Sequence, residues 1–404
     1  MDPSFSNINM QTILLTGARA PVTLDLARAL AKRGHRVIAA ESMGYPLSIH
    51  SNVFSKFYSI TAPNESLSQF KCDLLKIISD EKVDLLIPSC EEIFHLSKIK
   101  TALSEVTTVL VDDEGKLAKL HSKFQFNEWV RKIGLNAPLS KIVNSCLEMR
   151  SAIESVPGEM VVLKPEYSRF ASKTFVLSKI EALSRIESIF NGKPWVVQEC
   201  LIGPEYCTYS FAKNGKLIAH VTYDHEFTAG RGAGICFESI EHPAIESWVK
   251  KFVYETQFTG QIAFDFIEDK KGEVQPLECN PRATSGLHLI AHHPLFLDRL
   301  VSQTDSSAVG TLHPPKGARG QLRLAMLVYG LPSIRSFKRA IAWFKIFFTA
   351  REVVFSLRDP MPFFDQFISF YLLIRESKQK KITPLEVSTQ DIEWNGDTKP
   401  EAAL

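Results

Sequence analysis

The sequence predicts an α/β domain at the N-terminus, an α+β region in the middle and a mostly helical extension at the C-terminus. Three observations carry this reading. Strand and helix patterns alternate over roughly the first 110 residues. The middle of the chain then reads as successive strands joined by hairpin turns. Near the C-terminus, a long aromatic-rich stretch is broken repeatedly by charges and prolines.

The first element is "TILLTGA" (residues 12–18), an apolar run that ends in glycine. "PVTLDLARALAKRG" (21–34) follows as a helix, with proline in its first turn and glycine at its end. "HRVIAAES" (35–42) is the second strand, and a βαβ opening implies a parallel sheet. Gly17 stands alone in "TGARAPVTL", so the GxGxxG fingerprint of a dinucleotide site is missing. Glu41 ends the second strand, where a ribose-binding acid would sit, but without those glycines a nicotinamide cofactor is disfavoured. "LLKIISDEKVDLLIPSCEEIFHLSKI" continues the alternation, and the first domain ends near residue 110.

"KLHSKFQFNEWVRKIGLNAPLSKIV" (119–143) reads as a helix closed by Gly134, then a strand. "MVVLKPEYSRFASKTFVL" (160–177) is two strands around a polar loop. "WVVQECLIGPEYCTYSFAKNGKLIAHVTYD" (195–224) is three strands, with Asn214-Gly215 as a hairpin turn. "GQIAFDFIEDKKGEVQPLECN" (260–280) is a further hairpin, turning at Lys271-Gly272. In the extension, Lys345, Arg351, Glu352, Arg358 and Asp359 interrupt residues 340–374, and Pro360 and Pro362 break them. No run of ~20 apolar residues survives, so the expectation is two amphipathic helices packed on the body and no transmembrane segment. The polar tail after Lys378 reads as mobile.

The chain has 404 residues, 45% hydrophobic and 23% charged, with a formal net charge of +2. That balance gives no general case for nucleic acid or an anionic membrane as partner. Seven cysteines are scattered without CxxC pairs, which argues against a disulfide framework or a zinc site and for a reducing, cytoplasmic compartment. The first ten residues lack the pattern of a signal peptide.

The chemistry concentrates in "FDFIED" and "PLECNPR". Side chains alternate along a strand, so Glu278 and Asn280 share a face. A two-residue turn at Lys271-Gly272 sets Asp265 directly across from Glu278. Opposed carboxylates repel, and a divalent cation removes the repulsion. Oxygen-only ligands suit magnesium when phosphates complete its shell, and Arg282 then offers planar donors to a phosphate oxygen.

In this order and spacing the motifs resemble the ATP-grasp ligases over residues 119–289, with the opening as a Rossmann-like pre-ATP-grasp domain. The resemblance implies residues 1–110 as that domain, 111–305 as an ATP-grasp domain of two α+β subdomains clamping ATP, and 306–404 as the extension. It implies that Asp265, Glu278 and Asn280 hold magnesium, with manganese as an alternative, and that Lys123 and Lys164 contact ATP phosphates. Glu199 and Leu201 in "VQECL" would receive adenine, and Glu205 would bind ribose. The phosphate loop departs from the family, since "EYSRFASKT" has no glycine; Ser168, Arg169, Ser172 and Lys173 would supply side-chain donors instead. A second loop, "TAGRGAGIC", carries Arg231 and reads as a mobile lid or a plain turn. Arg282, with Arg169 or Arg231, would orient a substrate carboxylate or the transferred phosphate. Glu91, beside Glu92 in "PSCEEIFHL", would bind an amine or simply begin a helix. Ser285 and His288 in "ATSGLH" would line the acceptor pocket, a core histidine being the competing reading of His288.

The function implied is ATP-dependent ligation of a small carboxylate to an amine through an acyl phosphate, releasing ADP and phosphate. The alternatives are a bicarbonate-activating carboxylase or carbamoyl-phosphate-like enzyme, and a nucleotide-binding regulatory protein without turnover. The resemblance also allows a homodimer.

Overall fold

A computed structural model describes residues 10–168, 173–229, 233–302 and 310–396. The first domain is β1 (Thr12–Thr16), α1 (Pro21–Lys32), β2 (Arg36–Glu41), β3 (Lys56–Ser59), α2 (Leu67–Glu81), β4 (Leu85–Ile87), α3 (Glu92–Ser104) and β5 (Thr108–Val109). Its strands form a parallel sheet in the order β3-β2-β1-β4-β5, so the order reverses beside β1. In such sheets the crevice at that reversal, past the carboxyl ends of the strands, is where ligands bind. Gly17 and the start of α3 lie there. A Cβ on Gly17 (φ +74°) would stand 2.9 Å from both Cys90 Sγ and Glu92 Oε1, so the close approach of these two loops requires glycine.

The 119–143 segment departs from a single helix. It breaks into α4 (Glu114–His121) and α5 (Lys123–Lys132) at Ser122. Ser122 Oγ accepts from Gln125 N at 3.1 Å as the N-cap of α5 and also donates to Glu166. A small four-stranded sheet follows, in the order β6-β9-β7-β8, from β6 (Ser140–Val143), β7 (Met160–Pro165), β8 (Phe175–Ser178) and β9 (Trp195–Glu199). Helices α6 (Cys146–Ser155), α7 (Lys179–Ser184) and α8 (Ile186–Ile189) cover it. This subdomain has its own core, built on Met149, Ile153, Leu163 and Trp195.

The large sheet runs β16-β15-β10-β11-β14-β17-β18. Its first members are β10 (Glu205–Lys213) and β11 (Lys216–Asp224), joined at Asn214 (φ 49°) and Gly215 (φ 73°), the left-handed pair of a two-residue hairpin. A short ribbon of β12 (Thr228–Ala229) and β13 (Ala233–Gly234) leads to β14 (Cys236–Ile240) and α9 (Pro243–Thr256). β15 (Gly260–Glu268) and β16 (Val274–Asn280) form the site hairpin, followed by α10 (Leu287–Ile290) and α11 (Pro294–Val301). One continuous core joins the first domain to this sheet, from Leu14 and Phe94 through Phe126 to Phe252 and Phe264.

One expectation about the extension is corrected, that its helices pack their apolar faces on the body. The extension is mostly helical and adds two strands: β17 (Arg319–Gln321) pairs with β14, and β18 (Arg351–Glu352) pairs with β17, so it completes the large sheet. Next to these strands lie α12 (Arg323–Ala325), a π-helical turn at Met326–Gly330, α13 (Phe337–Thr349), α14 (Met361–Lys380) and α15 (Pro384–Val387). The long helices do not bury their apolar faces. α14 buries Asp365, which accepts from Tyr45 Oη and His50 Nδ1 at 2.9 Å each, while Phe364, Phe367 and Tyr371 are exposed. On α13, Trp343 is buried, but Phe344 and Phe348 are exposed. No helix among the described residues is long and apolar enough to cross a membrane.

The tail is docked as far as residue 396. Arg19 is held by Glu41 and by Asp391 at 2.6 Å, which also settles Glu41 as a structural partner. Trp394 packs on Phe94 and Tyr167 with ring centroids 5.6 and 5.4 Å apart. Aromatic packing and a part-buried ion pair fix what composition alone reads as loose.

Candidate active site

Asp265 does face Glu278 across the β15–β16 hairpin, but by a different route from the one the sequence suggested. The loop has three residues, Lys270 to Gly272, closed by Asp269 N donating to Glu273 O at 3.0 Å, with Gly272 at φ +78°. That shifts the register by one residue. A bulge at Leu277 shifts it back, since Phe266 pairs with Pro276 while Asp265 pairs with Glu278. The bulge also has a use: Leu277 O accepts from Lys164 Nζ at 3.0 Å. On the opposite face of β15, Phe264 and Phe266 are fully buried against Trp248, with ring centroids 5.2 and 5.0 Å away. Truncating either ring would cost about 3–5 kcal/mol, so the face that Asp265 presents is firmly specified.

A cavity of about 260 Å³ lies in front of these acids. Its lining includes Lys123, Ser168, Asp265, Glu278, Asn280, Arg282, Glu91 and Ser285. The break at Ser122 is what brings Lys123 here. As the first residue of α5, it is buried, its Nζ donates to Ser168 O at 2.7 Å, and it stands 3.9 Å from Glu278. Lys164 is equally buried, and burial together with the Lys123 charge pulls its ammonium down to about 7. Two cations enclosed so closely suit a polyanion.

The acids are unbalanced. Burial and then the Glu278 charge push Asp265 up to about 8. Burial is the largest influence on the Glu278 carboxylate too and would raise it, but Lys123, the hydrogen bond with Asp265, Lys164 and Asn280 together keep Glu278 below the usual range. Asn280 Nδ2 lies 3.5 Å from Asp265 Oδ2, and Arg282 donates to Asn280 Oδ1 at 3.4 Å. Two acids and an amide are a hard, oxygen-only donor set. Among the described residues no group of three or more His, Cys, Asp or Glu could hold a metal by itself. An ion here would therefore need further oxygens from a ligand, the situation that favours magnesium with phosphate.

Glu91 and Glu92 have separate roles. Glu92 is buried and accepts from Thr16 Oγ1 at 2.7 Å and from Ser89 N and Cys90 N at 3.2 Å, tying the start of α3 to β1. Glu91 instead accepts from Arg282 Nε at 2.8 Å, across the boundary between the first domain and the large sheet.

Other predicted residues are placed differently. Glu199 ends β9 and Glu205 begins β10, so the segment containing Leu201 links the two sheets. Glu199 Oε1 accepts from Leu139 N at 2.7 Å. Glu205 is exposed on the face of β10 that carries Cys207, the cross-strand partner of Asp265. None of these three lines the 260 Å³ cavity. His288 is corrected. It is buried with Nδ1 2.7 Å from Asp25 Oδ2 and its ring stacked on Phe237 at 5.2 Å, so it belongs to the joint between α1 and α10 and not to the pocket. Arg169, Ser172 and Arg231 lie outside the described residues. Cys207, Tyr223, His225 and Thr284 also line the cavity, and no local motif marked them.

No protein-family model matches the sequence, and no curated protein is similar to it in sequence. Solved structures do share its fold. N5-carboxyaminoimidazole synthetase from Staphylococcus aureus, complexed with ADP, is 15% identical with a TM-score of 0.60, over 81% of this chain and 87% of that one. An L-amino acid ligase from Bacillus licheniformis is 11% identical with a TM-score of 0.58, over 74% and 76%. The biotin carboxylase domain of a Hydrogenobacter thermophilus 2-oxoglutarate carboxylase, with MgADP, ADP and bicarbonate, is 14% identical with a TM-score of 0.59, over 75% and 72%. The chain has the ATP-grasp fold.

Proposed function

We propose that the chain is an ATP-dependent ligase joining a carboxylate to an amine through an acyl phosphate, with release of ADP and phosphate. The observation that carries this reading is the Asp265–Glu278 pair, opposed across one hairpin and flanked by two buried lysines and Arg282. Lys123 and Lys164 would hold ATP phosphates, with Ser168 beside them. The link from Glu199 through Leu201 to Glu205 would hold adenine and ribose, which its position between the two sheets supports. Magnesium, held by Asp265, Glu278 and Asn280 with phosphate oxygens, would offset charge on the transferred phosphoryl group.

The substrate carboxylate, oriented by Arg282, forms a bond to the γ-phosphorus as the β–γ oxygen bridge breaks and ADP leaves. The amine nitrogen then attacks the acyl carbon, phosphate leaves with its bonding pair, and the amine gives up a proton. Most of the work is positioning and the exclusion of water, which would hydrolyse the acyl phosphate. The separate core of the small subdomain suits it to close over ATP as a unit. We place the domain boundaries near residues 110 and 305, with the extension completing the large sheet. The test is incubation with ATP, magnesium, a panel of acids and hydroxylamine. ADP with a hydroxamate is expected; AMP as the nucleotide product would mean adenylate chemistry and end this reading.

A further inference from the structure

A second cavity, of about 440 Å³, adjoins the first. Glu91, Arg282 and Leu322 line both, so the two share a charged boundary. Beyond that boundary the walls are mainly apolar: Ala325, Val328 and Tyr329 from the turn after β17, Val354 after β18, and Phe370 and Leu373 from α14. The size lies within the ~300–1,000 Å³ usual for pockets that enclose a small organic ligand. Its outer end is apolar as well, since Val328, Tyr329 and Phe370 are between 39% and 46% exposed. A chain longer than the cavity would thus emerge along apolar surface.

The charged end is suited to a carboxylate. Arg282 Nε is held by Glu91, and its terminal nitrogens donate to Ala283 O at 3.1 Å and Asn280 Oδ1 at 3.4 Å. A guanidinium has five N–H donors, so two remain for a ligand oxygen. The same arginine borders the acids proposed to manage phosphoryl transfer. A polar acid or bicarbonate would make no use of the adjoining apolar walls, whereas an amphiphile uses both ends.

Resting on the ligase reading, we propose that the acid substrate is a carboxylate with an apolar chain. Its carboxylate meets Arg282 at the shared boundary, and its chain lies along Ala325, Val354 and Leu373 toward Val328 and Phe370. The amine is delivered from the side of the acid cluster.

The test is calorimetric titration of the full chain with decanoate and with acetate, paired with ADP release when ATP, magnesium and hydroxylamine are added. Decanoate is expected to bind at least about tenfold more tightly than acetate. Ala325→Trp, which fills the cavity, is expected to weaken decanoate by about tenfold or more. Val328→Glu, at a half-exposed position that tolerates a charge without unfolding, is expected to weaken it similarly, and circular dichroism checks both folds. Equal affinity for the two acids, or decanoate binding indifferent to both variants in folded protein, overturns the proposal. The two readings fail separately. Decanoate binding that responds to the variants without ADP release upholds the cavity assignment and removes the ligase. ADP release with short acids but no decanoate binding upholds the ligase and removes the amphiphile.

Discussion

Asp25 on α1 and Asp265 on β15 are both screened from bulk water, yet their surroundings drive them in opposite directions. Burial raises both. At Asp25 that effect is overcome by His288 and His292, each at 2.7 Å, and by Arg351, so its carboxyl lies well below the usual range. At Asp265 the nearest strong charge is Glu278, and the carboxyl rises to about 8. The first acid has its partners built in, the Arg351 guanidinium and two imidazoles, and joins α1 to α10 and β18. The second faces another acid and holds its proton up to about pH 8, so a cation from outside would favour its charged form. A joint and a site can thus be told apart by whether the charges balance within the protein.

The linkage signs differ accordingly in metal-free protein. Asp25, lowered, contributes stability that is present above the ordinary aspartate range and lost as pH falls through its depressed value. Asp265, raised, contributes stability that is present below that range and lost as pH rises through about 8.

The largest expected effect is on turnover. Glu278→Gln keeps size and removes charge, so magnesium-dependent ADP release should drop by about 10²-fold or more while the fold survives. Unchanged turnover in a folded variant would falsify the metal assignment. Next, Asp25→Ala should cost about 1–3 kcal/mol, because it leaves the buried His288 Nδ1 without its partner while the part-exposed Arg351 and His292 can turn to water, and a denaturant midpoint reads this directly. Asp265→Asn should cost nothing comparable and should raise the melting temperature at pH 8. Equal destabilisation by the two variants would erase the distinction between them. A third effect is a pH profile. Magnesium affinity should climb by up to about tenfold per unit as Asp265 loses its proton, then level off above about 8; a flat profile from pH 6 to 9 would count against it. The smallest is Trp394→Ala, which should lose about 1–2 kcal/mol of its aromatic contacts in a melting experiment. No change would mean the tail is not anchored there.

Local pattern made the hairpins and the parallel opening legible, and it singled out the acids of the candidate site. The Asp265–Glu278 pairing was reached from an incorrect turn, because a three-residue loop and the bulge at Leu277 cancel. No propensity distinguishes one bulge position from another, so the Leu277 carbonyl under Lys164 could not be foreseen. Lys123 was found by motif, yet its burial follows from the break at Ser122, a cap whose second partner, Glu166, is 44 residues away. The joint at Asp25 was illegible for the same reason: His288 and Arg351 lie 263 and 326 residues distant. The C-terminal helices misled differently, since amphipathic spacing says which residues form a face but not which face the body covers.

The most direct measurement is ADP binding by calorimetry at pH 8, with and without magnesium, in wild type, Asp265→Asn and Asp25→Asn. Magnesium is expected to tighten ADP by about tenfold or more in wild type and in folded Asp25→Asn, and to do nothing in Asp265→Asn. An Asp265→Asn protein that keeps the full magnesium effect would show that the opposed acids are not the cation site.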